Sequence, residues 1–126
     1  MARILVIDDE DVARGFISRC LARQGHEVIE TADGNQGLAK FREVGADLII
    51  TDIVMPEKEG IATIVELRGD NFDGPILAVS GACNSGRGGD YLKVAQKLGA
   101  DAVLAKPFSS AKLMEHVTAL LARKAR

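Results

Sequence analysis

The chain has 126 residues, of which 47% are hydrophobic and 27% charged, and a net charge of −2. That length suits one domain, residues 1–126, able to bury a core without disulfide or metal staples. The absence of a basic stripe argues against direct nucleic-acid binding. No apolar stretch approaches the ~18 residues of a membrane span, and no secretory leader is legible, so a cytoplasmic protein without membrane contact is expected.

The first apolar run, Ile4–Ile7, reads as a buried strand and leads into Asp8-Asp9-Glu10-Asp11. A helical pattern follows, with Val12, Phe16, Ile17, Cys20 and Leu21 on one face. Cys20 reads there as a small hydrophobe. Glu27–Thr31 is a more polar run and fits an edge strand. Asp33 with Gln36 opens a second helix in the manner of a capping box, and Leu38 and Phe41 form its apolar side. Asp47–Thr51 is a third strand, ending at Asp52. Ile61, Ile64 and Val65 mark a third helix, and Pro75–Val79 a fourth strand ending at Ser80.

A glycine-rich stretch over 81–90 follows, containing Cys83. Its Gly86-Arg87-Gly88 piece lacks the lysine of a nucleotide loop. Leu92, Ala95 and Leu98 begin a fourth helix. Asp101–Ala105 is a fifth strand, leading into Lys106-Pro107-Phe108. Leu113, Val117, Leu120 and Leu121 line a fifth helix. Gly25, Gly45, Gly69 and Gly99 each follow a helical run, where a left-handed C-cap favours glycine. Cys20 and Cys83 match no metal-binding spacing.

Four of the five strand runs are almost continuously apolar, as in parallel sheets covered on both faces. Strict β–α alternation predicts such a sheet, with helices on both sides and right-handed crossovers. Ligands then bind outside the carboxyl ends of the strands. The residues there are Asp8, Asp9, Asp52, Ser80 and Lys106. Two carboxylates ~4 Å apart repel by ~4 kcal/mol at an effective dielectric of ~20. Such a cluster calls for a cation, a shared proton or the lysine, and magnesium suits hard oxygen ligands. Helix capping alone would account for one or two acids of the Asp8–Asp11 run. It leaves Asp52 unexplained, because a charge after Leu48-Ile49-Ile50 is unfavourable without a partner.

With these residues in place, the sequence resembles a receiver domain of two-component response regulators, of the stand-alone single-domain type. The likeness spans essentially the whole chain. It rests on Asp8-Asp9, on Asp52 with Met55-Pro56 behind it, on Ser80 and on Lys106-Pro107. The resemblance implies a flavodoxin-like doubly wound (βα)5 three-layer sandwich with strand order 2-1-3-4-5. It implies that Asp52 accepts a phosphoryl group from a histidine kinase or histidine phosphotransfer protein, forming an acyl phosphate. Mg²⁺ (or Mn²⁺) would sit on Asp8, Asp9, Asp52 and the backbone carbonyl of Val54. Ser80 and Lys106 would contact the phosphoryl oxygens, and the Lys106–Pro107 bond would be cis. The domain would be a signalling phosphoacceptor rather than an enzyme, assisting its own phosphorylation and dephosphorylation. Its output would be binding to an unknown downstream protein through the fourth helix, fifth strand and fifth helix, near Lys93, Lys97, Lys112 and His116.

Three features depart from the family pattern. Val103 stands where a switch aromatic is common, so the signal is expected to travel through the loop after Ser80 and the fourth helix. The stretch 81–90 is longer than usual. Val54, two residues after Asp52, cannot orient a water by hydrogen bonding, so slow self-dephosphorylation is expected, faster in Val54→Asn. Val54 also argues against an aspartyl-nucleophile phosphatase, which needs a second aspartate at that place. Around Ser80 no Gly-x-Ser-x-Gly elbow exists for a serine hydrolase. The remaining alternative is a receiver-like interaction module that is not phosphorylated.

Overall fold

A computed structural model describes residues 2–53, 60–80, 93 and 95–124. In chain order its elements are β1 (Arg3–Ile7), α1 (Asp11–Arg23), β2 (Glu27–Thr31), α2 (Gly34–Val44), β3 (Leu48–Asp52), α3 (Gly60–Gly69), β4 (Ile76–Ser80), β5 (Ala102–Ala105) and a C-terminal helix (Ser110–Lys124). Residues 95–98 are also helical. The five strands form one parallel sheet in the order β2-β1-β3-β4-β5. The doubly wound fold expected from the sequence is the fold observed, with the polar β2 at an edge.

Strand side chains alternate between two faces, and the apolar residues divide accordingly. Ile4, Val6, Leu48, Ile50, Leu77, Val79 and Leu104 pack with α1 and the C-terminal helix through Ile17, Leu21, Leu113 and Val117. Leu5, Ile7, Ile49, Ile76 and Ala78 pack on the other face with Leu38 of α2, Ile64 and Leu67 of α3, and Ala95. This division produces the three layers. Continuous apolar sequence in β1, β3 and β4 follows directly, because neither face meets water. Fully burying one such Leu or Ile is worth about 1.5–3 kcal/mol, and those of β1 and β3 are 0–1% exposed.

The ends of the helices follow local chemistry with two adjustments. At α2, Gln36 N donates to Asp33 Oδ1 at 2.8 Å, the expected cap. The return bond comes one residue early: Ala32 N donates to Gln36 Oε1. Gly69 lies inside α3 and is not left-handed. Asn71 takes the positive φ of 68° instead, two residues after the helix. An amide side chain makes Asn the commonest substitute for glycine in that conformation.

Three apolar positions expected on helix core faces are exposed: Val12 (84%), Val65 (47%) and Leu98 (43%). Val12 lies in the first turn of α1, beside Phe16, Pro107 and Phe108. On α3 the buried stripe runs through Gly60, Thr63, Ile64 and Leu67, which leaves Val65 off it. Cys20 is buried among apolar residues as expected.

Candidate functional site

Strand register brings the polar residues together. β1 and β3 run in step, with Val6 opposite Ile50 and Ile7 opposite Thr51. Asp8 therefore leaves β1 level with Asp52. By the two-residue period, Asp8 continues the series Ile4, Val6, and Asp52 the series Leu48, Ile50. Lys106 continues from Leu104. All of those apolar residues face α1 and the C-terminal helix, so the three charged side chains emerge on that same side. Lys106 is fixed in height by its own backbone, whose N–H donates to Ser80 O at 2.8 Å.

The charged groups meet at Lys106 Nζ, which donates to Asp8 Oδ2 at 2.8 Å and to Asp52 Oδ2 at 3.1 Å. It also reaches Glu10 Oε1 at 3.0 Å. Side-chain exposure is 1% for Asp8, 5% for Asp52 and 11% for Lys106, but 61% for Glu10. Burial by itself lowers the Lys106 pKa. The Asp8 hydrogen bond and the Asp52 charge, with Glu10 adding to them, outweigh burial and hold it well above its ordinary 10.5. The ammonium is thus the counter-charge of two buried carboxylates.

The acidic loop is anchored on its other side. Asp8 N donates to Thr31 O at 3.1 Å, and Glu10 N donates to Asp8 Oδ1 at 2.9 Å. Arg14 of α1 donates to Asp8 O at 2.8 Å while pairing with Asp11 and Glu30. Across the site, Gly60 opens α3 directly against β3: a Cβ there would stand 1.9 Å from Asp52 O. Only glycine permits that approach.

Of the residues singled out by sequence, Asp8 and Asp52 both contact Lys106, and Ser80 is fully buried at the end of β4. The Lys106–Pro107 bond is cis. Asp9 is partly exposed and stands outside the carboxylate group formed by Asp8, Glu10 and Asp52. Val103 is partly buried on β5, beside a groove that Lys112 and His116 also line. Val54, Met55-Pro56, Cys83 and the stretch 81–90 lie outside the described residues. Glu10 is the participant that sequence reasoning did not single out. The available signal was an Asp-x-Glu spacing directly after a strand, since an aspartate readily bonds the backbone two residues on and turns the next side chain back to the site.

Asp8, Glu10 and Asp52 each offer one carboxylate oxygen, all within 4.8 Å of one another. Hard oxygen donors at that spacing could hold a divalent cation such as Mg²⁺, so the residues fit the expected ion. No helix among the described residues is long and apolar enough to cross a membrane.

Comparison with known proteins gives the same picture along the whole chain. A family model described as the response regulator receiver domain matches residues 4–118. The alkaline phosphatase synthesis transcriptional regulatory protein PhoP of Bacillus subtilis is 34% identical over 122 residues, which is 96% of this chain and 49% of PhoP. The chain spans about half the length of the curated relatives it matches. A response regulator receiver domain protein from Clostridium thermocellum superposes with a TM-score of 0.88 at 29% identity, covering 99% of this chain and 98% of that one. The receiver domain of Francisella response regulator 1452 gives 0.86 at 28% identity, covering 98% of each.

Proposed function

The chain belongs to the response regulator receiver domain family, and on that premise we propose that Asp52 is its phosphoacceptor in a two-component phosphorelay. The observation that carries this reading is the Lys106 ammonium held between Asp8 and Asp52 at 2.8 and 3.1 Å. A carboxylate oxygen of Asp52 attacks the phosphorus of a phosphohistidine on a histidine kinase or phosphotransfer protein. The P–N bond breaks, and the imidazole nitrogen leaves with the bonding pair and takes up a proton. An acyl phosphate remains on Asp52.

Phosphoryl transfer asks the protein mainly for positioning and charge neutralisation. Lys106 supplies a compact positive charge that can pass from the carboxylates to the new phosphoryl oxygens. Ser80, held at the end of β4, contributes its hydroxyl to another of those oxygens. Asp8, Asp9 and Asp52, with the Val54 carbonyl, would hold Mg²⁺ or Mn²⁺. When bound, the ion neutralises charge between donor and acceptor. The product is a phosphorylated surface that changes its affinity for a downstream protein in the cytoplasm. With Val103 in place of an aromatic, the change is carried by the segment after Ser80. PhoP is named a transcriptional regulator, but half of its length lies outside the match. The role proposed here is that of the domain: a signalling phosphoacceptor making no direct nucleic-acid contact.

Intact-mass analysis after incubation with acetyl phosphate and Mg²⁺ tests the proposal. The wild type should gain one phosphoryl group and Asp52→Asn none. No Mg²⁺-dependent gain in the wild type would favour a binding module that is not phosphorylated.

A further inference from the structure

Lys106 is shared among carboxylates that differ greatly in freedom. Asp8 and Asp52 are almost fully buried, whereas Glu10, 3.0 Å from the same nitrogen, is 61% exposed. Glu10 is not there to cap α1: it occupies the N-cap position, yet its side chain makes no cap hydrogen bond. Its backbone N–H is tied to Asp8 Oδ1, which aims the side chain across the mouth of the site. The result is a carboxylate resting at the solvent side of the ammonium that an incoming phosphoryl group must reach.

We infer that Glu10 is a specificity-determining residue that occupies Lys106 and selects against phosphodonors of high negative charge. This inference rests on the proposed phosphoacceptor role of Asp52. An entering phosphoryl group must take the place of Glu10 on Lys106 and, before it does, meets the Glu10 charge at close range. The buried pair cannot yield in the same way, because either carboxylate would be left without a counter-charge. An exposed glutamate leaves the contact at little cost, since a solvent-screened ion pair contributes little. Coulomb repulsion scales with donor charge, so the barrier Glu10 imposes is larger for a dianion than for a monoanion.

The test compares two small donors on the wild type, Glu10→Gln and Glu10→Asp, at saturating Mg²⁺ and fixed ionic strength. With acetyl phosphate, a dianion, Asp52 attacks phosphorus, the P–O bond breaks and acetate leaves with the electron pair. With phosphoramidate, a monoanion at neutral pH, the P–N bond breaks and ammonia leaves with the protons already on its nitrogen. Glu10→Gln should raise the rate with acetyl phosphate about tenfold and with phosphoramidate about threefold, because a charge acts about twice as strongly on a dianion. Glu10→Asp keeps the charge but shortens the reach, so it should retain part of the discrimination.

Equal effects on the two donors, or none, would overturn the inference. A purely structural role for Glu10 would move both rates together. If the wild type takes no phosphoryl group from either donor, the phosphoacceptor reading fails. The Glu10 inference is then read separately by titrating inorganic phosphate while following the Lys106 side-chain NMR signal. Tighter binding to Glu10→Gln supports it, and equal binding overturns it.

Discussion

Replacing Lys106 with methionine probes the site most directly, because it removes the ammonium and keeps most of the side-chain volume. The nitrogen is 2.8 Å from Asp8 Oδ2 and 3.1 Å from Asp52 Oδ2. At an effective dielectric of ~20 those two contacts together are worth about 11 kcal/mol, and repulsion between carboxylate oxygens no more than 4.8 Å apart offsets at least about 3.5 kcal/mol of that. Desolvating three charges removes much of the rest, so breaking the cluster should cost about 3–4 kcal/mol. The Glu10 contact adds under about 1 kcal/mol because it is exposed. Urea unfolding in chelating buffer at neutral pH should therefore show Lys106→Met less stable by that amount. Millimolar Mg²⁺ should restore more stability to the variant than to the wild type, because a cation bound only to the folded state then takes the place of the ammonium. A loss below about 1 kcal/mol would mean that Lys106 behaves as a surface lysine, and the electrostatic account of the site would be refuted.

The folded-state pKa of Lys106 is raised above 10.5, so its stabilising contribution is complete below pH 10.5 and disappears as pH rises through the higher folded value. Unfolding measured against pH should show an alkaline decline in the wild type that Lys106→Met lacks. Gly60→Ala places a Cβ 1.9 Å from Asp52 O. Because the obstacle is backbone, it should cost at least about 3 kcal/mol and slow phosphorylation by moving Asp52. Chemical denaturation and single-turnover labelling would separate those effects. Asp33→Ala removes the 2.8 Å cap bond to Gln36 N and should cost about 1 kcal/mol, leaving phosphorylation unchanged, since α2 packs on the sheet face opposite the one on which Asp8, Asp52 and Lys106 emerge.

Much of the fold is legible in the sequence because burial on both faces leaves an unambiguous trace. Runs such as Leu48-Ile49-Ile50 and Ile76–Val79 have no polar residue with which to meet water, and they became the central strands. Helix faces were less legible at positions such as Val12 and Val65. A helical stripe drawn from spacing alone carries no information about how far a helix overhangs the sheet or how it is rotated. The left-handed residue after α3 illustrates a related limit. Gly69 had the right composition for a C-cap, but the helix ended so that Asn71 carried the conformation, and both choices read alike locally.

The site was legible for a different reason. Asp8, Asp52 and Lys106 are separated by 44 and 54 residues in the chain, yet a parallel sheet in fixed register turns each strand end into a known position. Once β1 and β3 run in step and β5 joins through β4, the alternation of faces leaves those three side chains little choice but to meet. Glu10 lies past the strand, where alternation no longer applies, and its direction depends on the hydrogen bond from its own amide to Asp8 Oδ1. The Asp-x-Glu spacing permits such a turn, but the side-chain rotamer decides whether it forms. Residues on strands or directly at their ends were therefore predictable in place and partner. The exposed acid that borders them required coordinates, and it is the one whose charge can be changed without removing a buried ion pair.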